Sequence, residues 1–144
     1  MFTIRVSGLN EFTAAIQEMQ ARGDAAAKAI VAESVALIEA RAKANFQGAH
    51  RRGEPHVGGS KPNVVTGMLR RSIGHEPIHR DGLATYSTRT GPRTVYGRRV
   101  ELGYFGGAGR GRQATRPFPY MGPAVEGAQA GIGLIATRRW GEVL

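Results

Sequence analysis

Residues 24–46 constrain the fold more than any other stretch of the chain. Ile30, Val31, Ser34, Val35, Leu37, Ile38 and Ala42 recur at helical spacing and form a wide apolar stripe, with Lys28, Glu33, Glu39, Arg41 and Lys43 off it. The high alanine content favours helix at every remaining position. Asp24, following Gly23, reads as its N-cap. A helix with so wide an apolar face has to be covered by other elements, so the rest of the chain must supply that cover.

Upstream, Phe2, Ile4 and Val6 alternate with Thr3 and Arg5, the period of a short half-buried strand. Ser7-Gly8 ends it, and Asn10 is placed to cap a first helix in which Phe12, Ala15, Ile16 and Met19 share a face. Downstream, residues 47–65 are rich in Gly, Pro and His and predict a long loop. Thr66 then offers a hydroxyl cap to a short turn in which Leu69 and Ile73 point inward and Arg70 and Arg71 outward. Residues 73–79 and 83–90 read as two strands joined by a turn at Arg80-Asp81-Gly82. Residues 95–102 form a further short element, in which Tyr96, Val100 and Leu102 should pack between sheet and helices. A Gly/Arg-rich stretch, 103–116, is expected to be extended. Pro123 suits the first position of a last helix, with Val125, Ala128, Ile132, Ile135 and Ala136 as its buried stripe. Gly127, Gly131 and Gly133 each weaken that helix by about 1 kcal/mol against Ala, so it should depend on docking. The pattern predicts one α+β domain over 1–144: a small antiparallel β-sheet packed against a long N-terminal helix and a C-terminal helix, with two long loops.

Charge is the strongest statement about partners. The formal net charge is +9, and twelve Lys or Arg fall between Arg41 and Arg99 against only Glu54, Glu76 and Asp81. Such a balance points to nucleic acid, an acidic protein surface or an assembly that spreads the charge. The chain has no Cys, which excludes disulfides and thiolate metal sites. No apolar run is long enough to cross a bilayer, and the N-terminus lacks the pattern of a secretion signal, so the chain is expected to work without export.

Chemistry is poorly represented. His75 and His79 have metal-ligand spacing only on a helix, and Pro77 argues for strand there. Ser72 lies three residues before His75, but no acid is placed to orient that ring. The Gly106–Arg112 tract resembles a phosphate loop, yet it leads to Pro117 and Pro119 instead of a helix N-terminus. The pairs Arg51-Arg52, Arg70-Arg71 and Arg98-Arg99 could line a groove for DNA, although aromatic interleaving is sparse. The expectation is a non-enzyme without cofactor or metal. Interface residues are expected among those three pairs together with Tyr104, Phe105, Arg110, Arg112, Phe118 and Tyr120, the last two as anchors at the foot of the last helix, either in its core or at an interface.

Four segments in order carry a resemblance. They are Ala42-Lys43-Ala44-Asn45-Phe46, then Thr66-Gly67-Met68-Leu69-Arg70-Arg71-Ser72-Ile73, then Tyr96 with Val100-Glu101 and Gly103, then Arg116-Pro117-Phe118 and Pro123-Ala124. Together they resemble the head–tail joining (tail-completion) proteins of long-tailed bacteriophages, the family of the gene-ten product of HK-type siphophages, over roughly residues 2–130. The resemblance implies a small α+β subunit forming a ring, most naturally a homohexamer, at the neck of the virion. Its partners would be the head-closure or connector protein, the tail tube or tail terminator, and the genomic DNA in the lumen. No membrane is involved, and the host cytoplasm holds the subunit before assembly. Two departures individualise the chain: the expanded loop 47–65 and the Gly/Arg arm 103–116. A tail terminator capping the tube, a basic non-specific nucleic-acid-binding protein and a small hydrolase or nuclease using His75 and His79 are the alternatives.

Overall fold

A computed structural model of the chain describes residues 3–5, 7–49, 51–56, 61–104 and 115–143. The elements, in chain order, are α1 (Leu9–Ala44), β1 (Gln47–Ala49), β2 (Asn63–Val64), α2 (Met68–Ser72), β3 (Ile73–His75), β4 (His79–Gly82), β5 (Thr85–Ser87), β6 (Thr90–Pro92), α3 (Gly97–Leu102) and α4 (Met121–Gly141). The architecture is α+β, as the hydrophobic pattern predicts.

The long helix exceeds its sequence signal. The two expected N-terminal helices are one continuous α1 of 36 residues, about 54 Å long at 1.5 Å per residue. Gly23 does not break it, because the roughly 1 kcal/mol cost of a helical glycine is small against the burial that follows. Asp24 does not cap anything. Its carboxylate instead receives three donors from the β4–β5 hairpin: Arg80 Nη2 at 2.9 Å, the Ala84 N–H at 3.0 Å and the Tyr86 hydroxyl at 2.6 Å. The expected strand at 2–6 is not present in Thr3, Ile4 and Arg5, which are exposed and in no ladder; positions 2 and 6 lie outside the described residues.

α4 runs antiparallel to α1 along its C-terminal two thirds. A Cβ at Gly23 would meet the Trp140 ring at 3.6 Å, one at Gly131 would meet Leu37 Cδ2 at 2.7 Å, and one at Gly127 would meet Arg41 Nη1 at 3.1 Å. The glycines that weaken α4 as an isolated helix therefore let it lie close against α1, with Ala124 and Ala128 buried on the same face. Glu33 of α1 closes the far end, pairing with both Arg138 and Arg139. Arg139 holds the Glu33 carboxyl below its ordinary range. Pro123 is the third residue of α4 and not its first, a position where the missing N–H still costs no helical bond. Of the predicted stripe, Ala128 is buried and Ile132, Ile135 and Ala136 are half-buried, while Val125 is 42% exposed and Ala124 is buried beside it.

β3 to β6 are the two arms of one interrupted hairpin. Ile73 pairs with Pro92 and His75 with Thr90 near its base, while His79 pairs with Ser87 and Arg80 with Tyr86 near its tip. The first arm holds one residue more than the second between those ladders, and Pro77, which cannot donate to a ladder, lies in that gap. The tip is Leu83-Ala84 and not Arg80-Asp81-Gly82. Ala84 takes φ 49° there, a conformation disfavoured for a residue with a Cβ and tied down by the bond from its N–H to Asp24.

The predicted loop 47–65 also contains structure. β1 and β2 pair in parallel, aided by the Gln47 N–H to Pro62 C=O bond at 2.9 Å and the Asn63 amide to Gln47 C=O bond at 2.9 Å. The core lies where α1, α2, β3 and α4 converge: Ala42, Leu69, Ile73, Tyr120 and Ala124 are buried, with Phe46, Val100 and Met121 packed on them. Tyr96 and Leu102, expected to pack with Val100, are 40% and 55% exposed.

Candidate interaction surface

The site is built from α3 upward. Tyr96 leads into a helix of only six residues, too short to persist without tertiary support. Glu101 supplies much of that support. Its Oε2 accepts the backbone N–H of Tyr120 at 2.8 Å and of Met121 at 2.9 Å, and its Oε1 accepts that of Gly122 at 2.8 Å. One carboxylate thus satisfies orphan donors at the start of α4 and places a negative charge at the positive end of that helix. The Tyr120 ring inserts between the two helices, tilted 53° against Phe46 at 5.0 Å between centroids, and its hydroxyl donates to the Gly97 C=O at 3.2 Å. Burial raises the Tyr120 hydroxyl far above the usual phenol range. A Cβ at Gly97 would lie 2.5 Å from the Pro92 ring, so α3 can approach the hairpin base there only as glycine.

The Gly/Arg arm is rooted on this unit. Tyr104 and Thr115 exchange both backbone hydrogen bonds, at 2.8 and 2.7 Å. Gly103 turns the chain into that bridge with φ 75°, and a Cβ there would stand 2.8 Å from the Thr115 C=O oxygen and from the Pro117 nitrogen. Beyond the bridge, the Phe118 N–H donates to the Val100 C=O at 2.8 Å. The Phe118 ring takes the His56 ring at 4.0 Å between centroids and the Arg116 guanidinium at 4.9 Å. His56 comes from the 47–65 stretch, so that stretch meets the chain just after the Tyr104–Thr115 bridge at Phe118.

A second surface lies at the Thr66–Arg71 turn. The N-cap of α2 is Gly67 and not the expected Thr66, although the Met68 N–H still reaches Thr66 Oγ at 3.3 Å. Gly67 has φ 70°, and Arg71 folds back to donate from Nη2 to the Thr66 C=O at 3.2 Å. Between this turn and the β1–β2 ribbon runs an open groove of about 660 Å³. It is lined by the apolar Ala49, Val64 and Val65 together with the basic Lys43, Arg70 and Arg71.

The sequence-predicted interface residues therefore separate into groups. Arg70 and Arg71 line the groove. Arg98 borders a smaller hollow with Glu101 and Leu102, and the Arg99 guanidinium lies 5.0 Å over the Tyr104 ring. Arg51 and Arg52 are exposed, with the Arg51 backbone N–H donating to Glu54 Oε2 at 2.7 Å. Phe118 is half-buried against His56. Tyr120 is fully buried and belongs to the core, so it is corrected from the interface set. Phe105, Arg110 and Arg112 lie outside the described residues. His75 and His79 do not converge: His75 Nδ1 is 2.5 Å from Glu39 Oε1, and His79 is exposed. Among the described residues no three His, Asp or Glu side chains cluster as metal ligands.

No known protein family, curated protein or solved structure matches this chain.

Glu101 and Asp24 are organising carboxylates that sequence reasoning misses. Glu101 has one visible signal, its place in the Val100-Glu101 pair of the third segment. Asp24 has none, because a helix-start pattern gives a complete local account of it.

Proposed function

We propose that this chain is a structural subunit of the head–tail junction of a long-tailed bacteriophage, working as a homo-oligomeric ring, most naturally a hexamer, between the head-closure proteins and the tail tube. Its work is binding and geometry, not catalysis. One observation carries the reading: the four segments on which the resemblance rests are parts of a single structural unit. Ala42 and Phe46 from the first, Leu69 and Ile73 from the second, Val100 from the third and Ala124 from the fourth meet in one core around Tyr120. Glu101 of the third segment binds the start of the helix that holds the fourth.

A conduit must let DNA pass. A six-fold ring would carry six times the +9 of one chain, and a lumen lined by most of it would hold DNA through counterion release. Most exposed Arg residues are therefore assigned to acidic neighbouring proteins or adjacent subunits. Micrographs of particles lacking this chain test the reading. Full heads beside separate tails are expected, whereas intact virions would sink it. Tight binding of non-specific DNA by the free chain at physiological salt would favour the nucleic-acid alternative instead.

A further inference from the structure

The groove between the Thr66–Arg71 turn and the β1–β2 ribbon has an unbalanced lining. Lys43, Arg70 and Arg71 line it, and no Asp or Glu among the described residues does. Lys43 meets Glu39 at 3.9 Å, one turn back along α1 and outside that lining. Arg70 makes no side-chain hydrogen bond or ion pair among the described residues. Arg71 is held in position. Its Nη2 donates to the Thr66 C=O at 3.2 Å, and its Nη1 lies 2.9 Å from where a Cβ at Gly67 would stand. Glycine at 67 thus leaves the space in which the guanidinium lies. The rest of that planar fork, which matches a carboxylate in shape, takes no other partner among the described residues.

Aliphatic surface adjoins these cations. Ala49 and Val64 are register partners across the ribbon, Val65 is 44% exposed, and all three line the groove. Val64 Cγ1 lies 3.8 Å from the same Gly67 Cβ position that the Arg71 head crowds. A ligand fitted to this lining carries anions and aliphatic groups in one stretch. We propose that the groove binds an extended acidic segment of a neighbouring protein, in which carboxylates and aliphatic side chains are interspersed. Its carboxylates pair with Arg70, Arg71 and Lys43, and its aliphatic groups cover Ala49, Val64 and Val65. Nucleic acid fits less well. No aromatic side chain among the described lining residues offers a face to a base, and a phosphate backbone would leave the aliphatic residues uncovered. The inference deepens the neck reading above and rests on it for the identity of that neighbour.

Fluorescence anisotropy on the purified full-length chain at physiological salt tests this with a labelled peptide of repeated Glu-Val. Repeated Glu-Ser and Ser-Val peptides of the same length, and a single-stranded oligonucleotide of the same charge, are the comparisons. The Glu-Val peptide should bind tightest of the four. Arg70→Gln and Arg71→Gln should each weaken it about tenfold, the size of a lost charge-assisted hydrogen bond. Arg71→Lys should weaken it several-fold although the charge is kept, because the fork is lost. Val65→Ser should weaken binding of Glu-Val and leave that of Glu-Ser unchanged. All four variants change exposed side chains, and Arg70→Gln removes no bond within the chain. No binding of Glu-Val, equal binding of Glu-Ser, tighter binding of the oligonucleotide, or full binding by Arg70→Gln/Arg71→Gln overturns the proposal. Peptide binding by a chain whose loss leaves virions intact would keep the groove and remove the neck assignment. Separated heads and tails without peptide binding would do the reverse.

Discussion

Glu101 Oε2 accepts the backbone N–H of Tyr120 at 2.8 Å across nineteen positions of sequence. The same carboxylate takes the next two N–H groups, so a helix too short to stand alone sets where the C-terminal helix begins. Removing it leaves three donors to find water or stay unpaired. Glu101→Ala is expected to cost about 2 kcal/mol, and Glu101→Gln less, because the amide oxygen can still accept. Urea unfolding midpoints measure both. An Ala variant within error of wild type would show that solvent replaces the carboxylate without loss.

Two glycines of α4 should respond oppositely to alanine. Nothing lies within 4 Å of a Cβ at Gly133, whereas one at Gly131 would press on Leu37 Cδ2 at 2.7 Å. Gly133→Ala should therefore stabilise by about 0.5–1 kcal/mol through helix propensity alone. Gly131→Ala should be about 1–2 kcal/mol less stable than Gly133→Ala, because overpacking outweighs the same gain. Adding Leu37→Ala should relieve part of that difference. Additive effects of the two changes would refute the close approach of the helices.

Asp24 makes acid stability readable. The Tyr86 hydroxyl foremost, with the Ala84 N–H and Arg80, holds its carboxyl below the ordinary range, as Arg139 does for Glu33. A depressed folded-state pKa contributes stability that is fully present above the unfolded value, about 4, and is lost as pH falls through the folded value. Asp24→Asn should thus lower the melting temperature at pH 7, and its gap to wild type should narrow below about pH 4. Thermal melts from pH 7 to 2.5 report this, and a gap constant across that range would assign Asp24 no charge-dependent role.

The root of the arm depends on Gly103. Its φ of 75°, and backbone atoms that would stand 2.8 Å from an added Cβ, leave no flexible neighbour to yield. Gly103→Ala is expected to cost about 2 kcal/mol. Amide exchange at Tyr104 and Thr115 should rise with it, since their paired bonds depend on that turn. Unchanged protection at both amides would show that the bridge forms by another route.

Much of this fold was legible because periodicity reports burial over one or two helical turns. The stripe through Val35 and Ala42 and the inward Leu69 and Ile73 belong to that class. The errors share one cause. Asp24 looks like a cap, Arg80-Asp81-Gly82 like a turn and Tyr120 like an anchor of either core or interface when only neighbours in sequence are weighed. Each was reassigned by a partner far along the chain: Tyr86 for Asp24, Asp24 for the hairpin tip, and Gly97 with Phe46 for Tyr120. Of the candidate surface, Arg70 and Arg71 were visible as a basic pair, whereas the Ala49 and Val64 that line the same groove are brought there by the β1–β2 ribbon, which composition presents as loop.

By itself the sequence determined an α+β chain built on a long helix, strongly basic and without thiol chemistry, because composition, charge and apolar spacing are properties of the chain alone. Tertiary structure decided which carboxylates organise it, why α4 tolerates its glycines, and which residues of the 47–65 stretch join Arg70 and Arg71 around one groove. Those relations depend on groups brought together across tens of residues, where geometry in space and not spacing in sequence selects the partner.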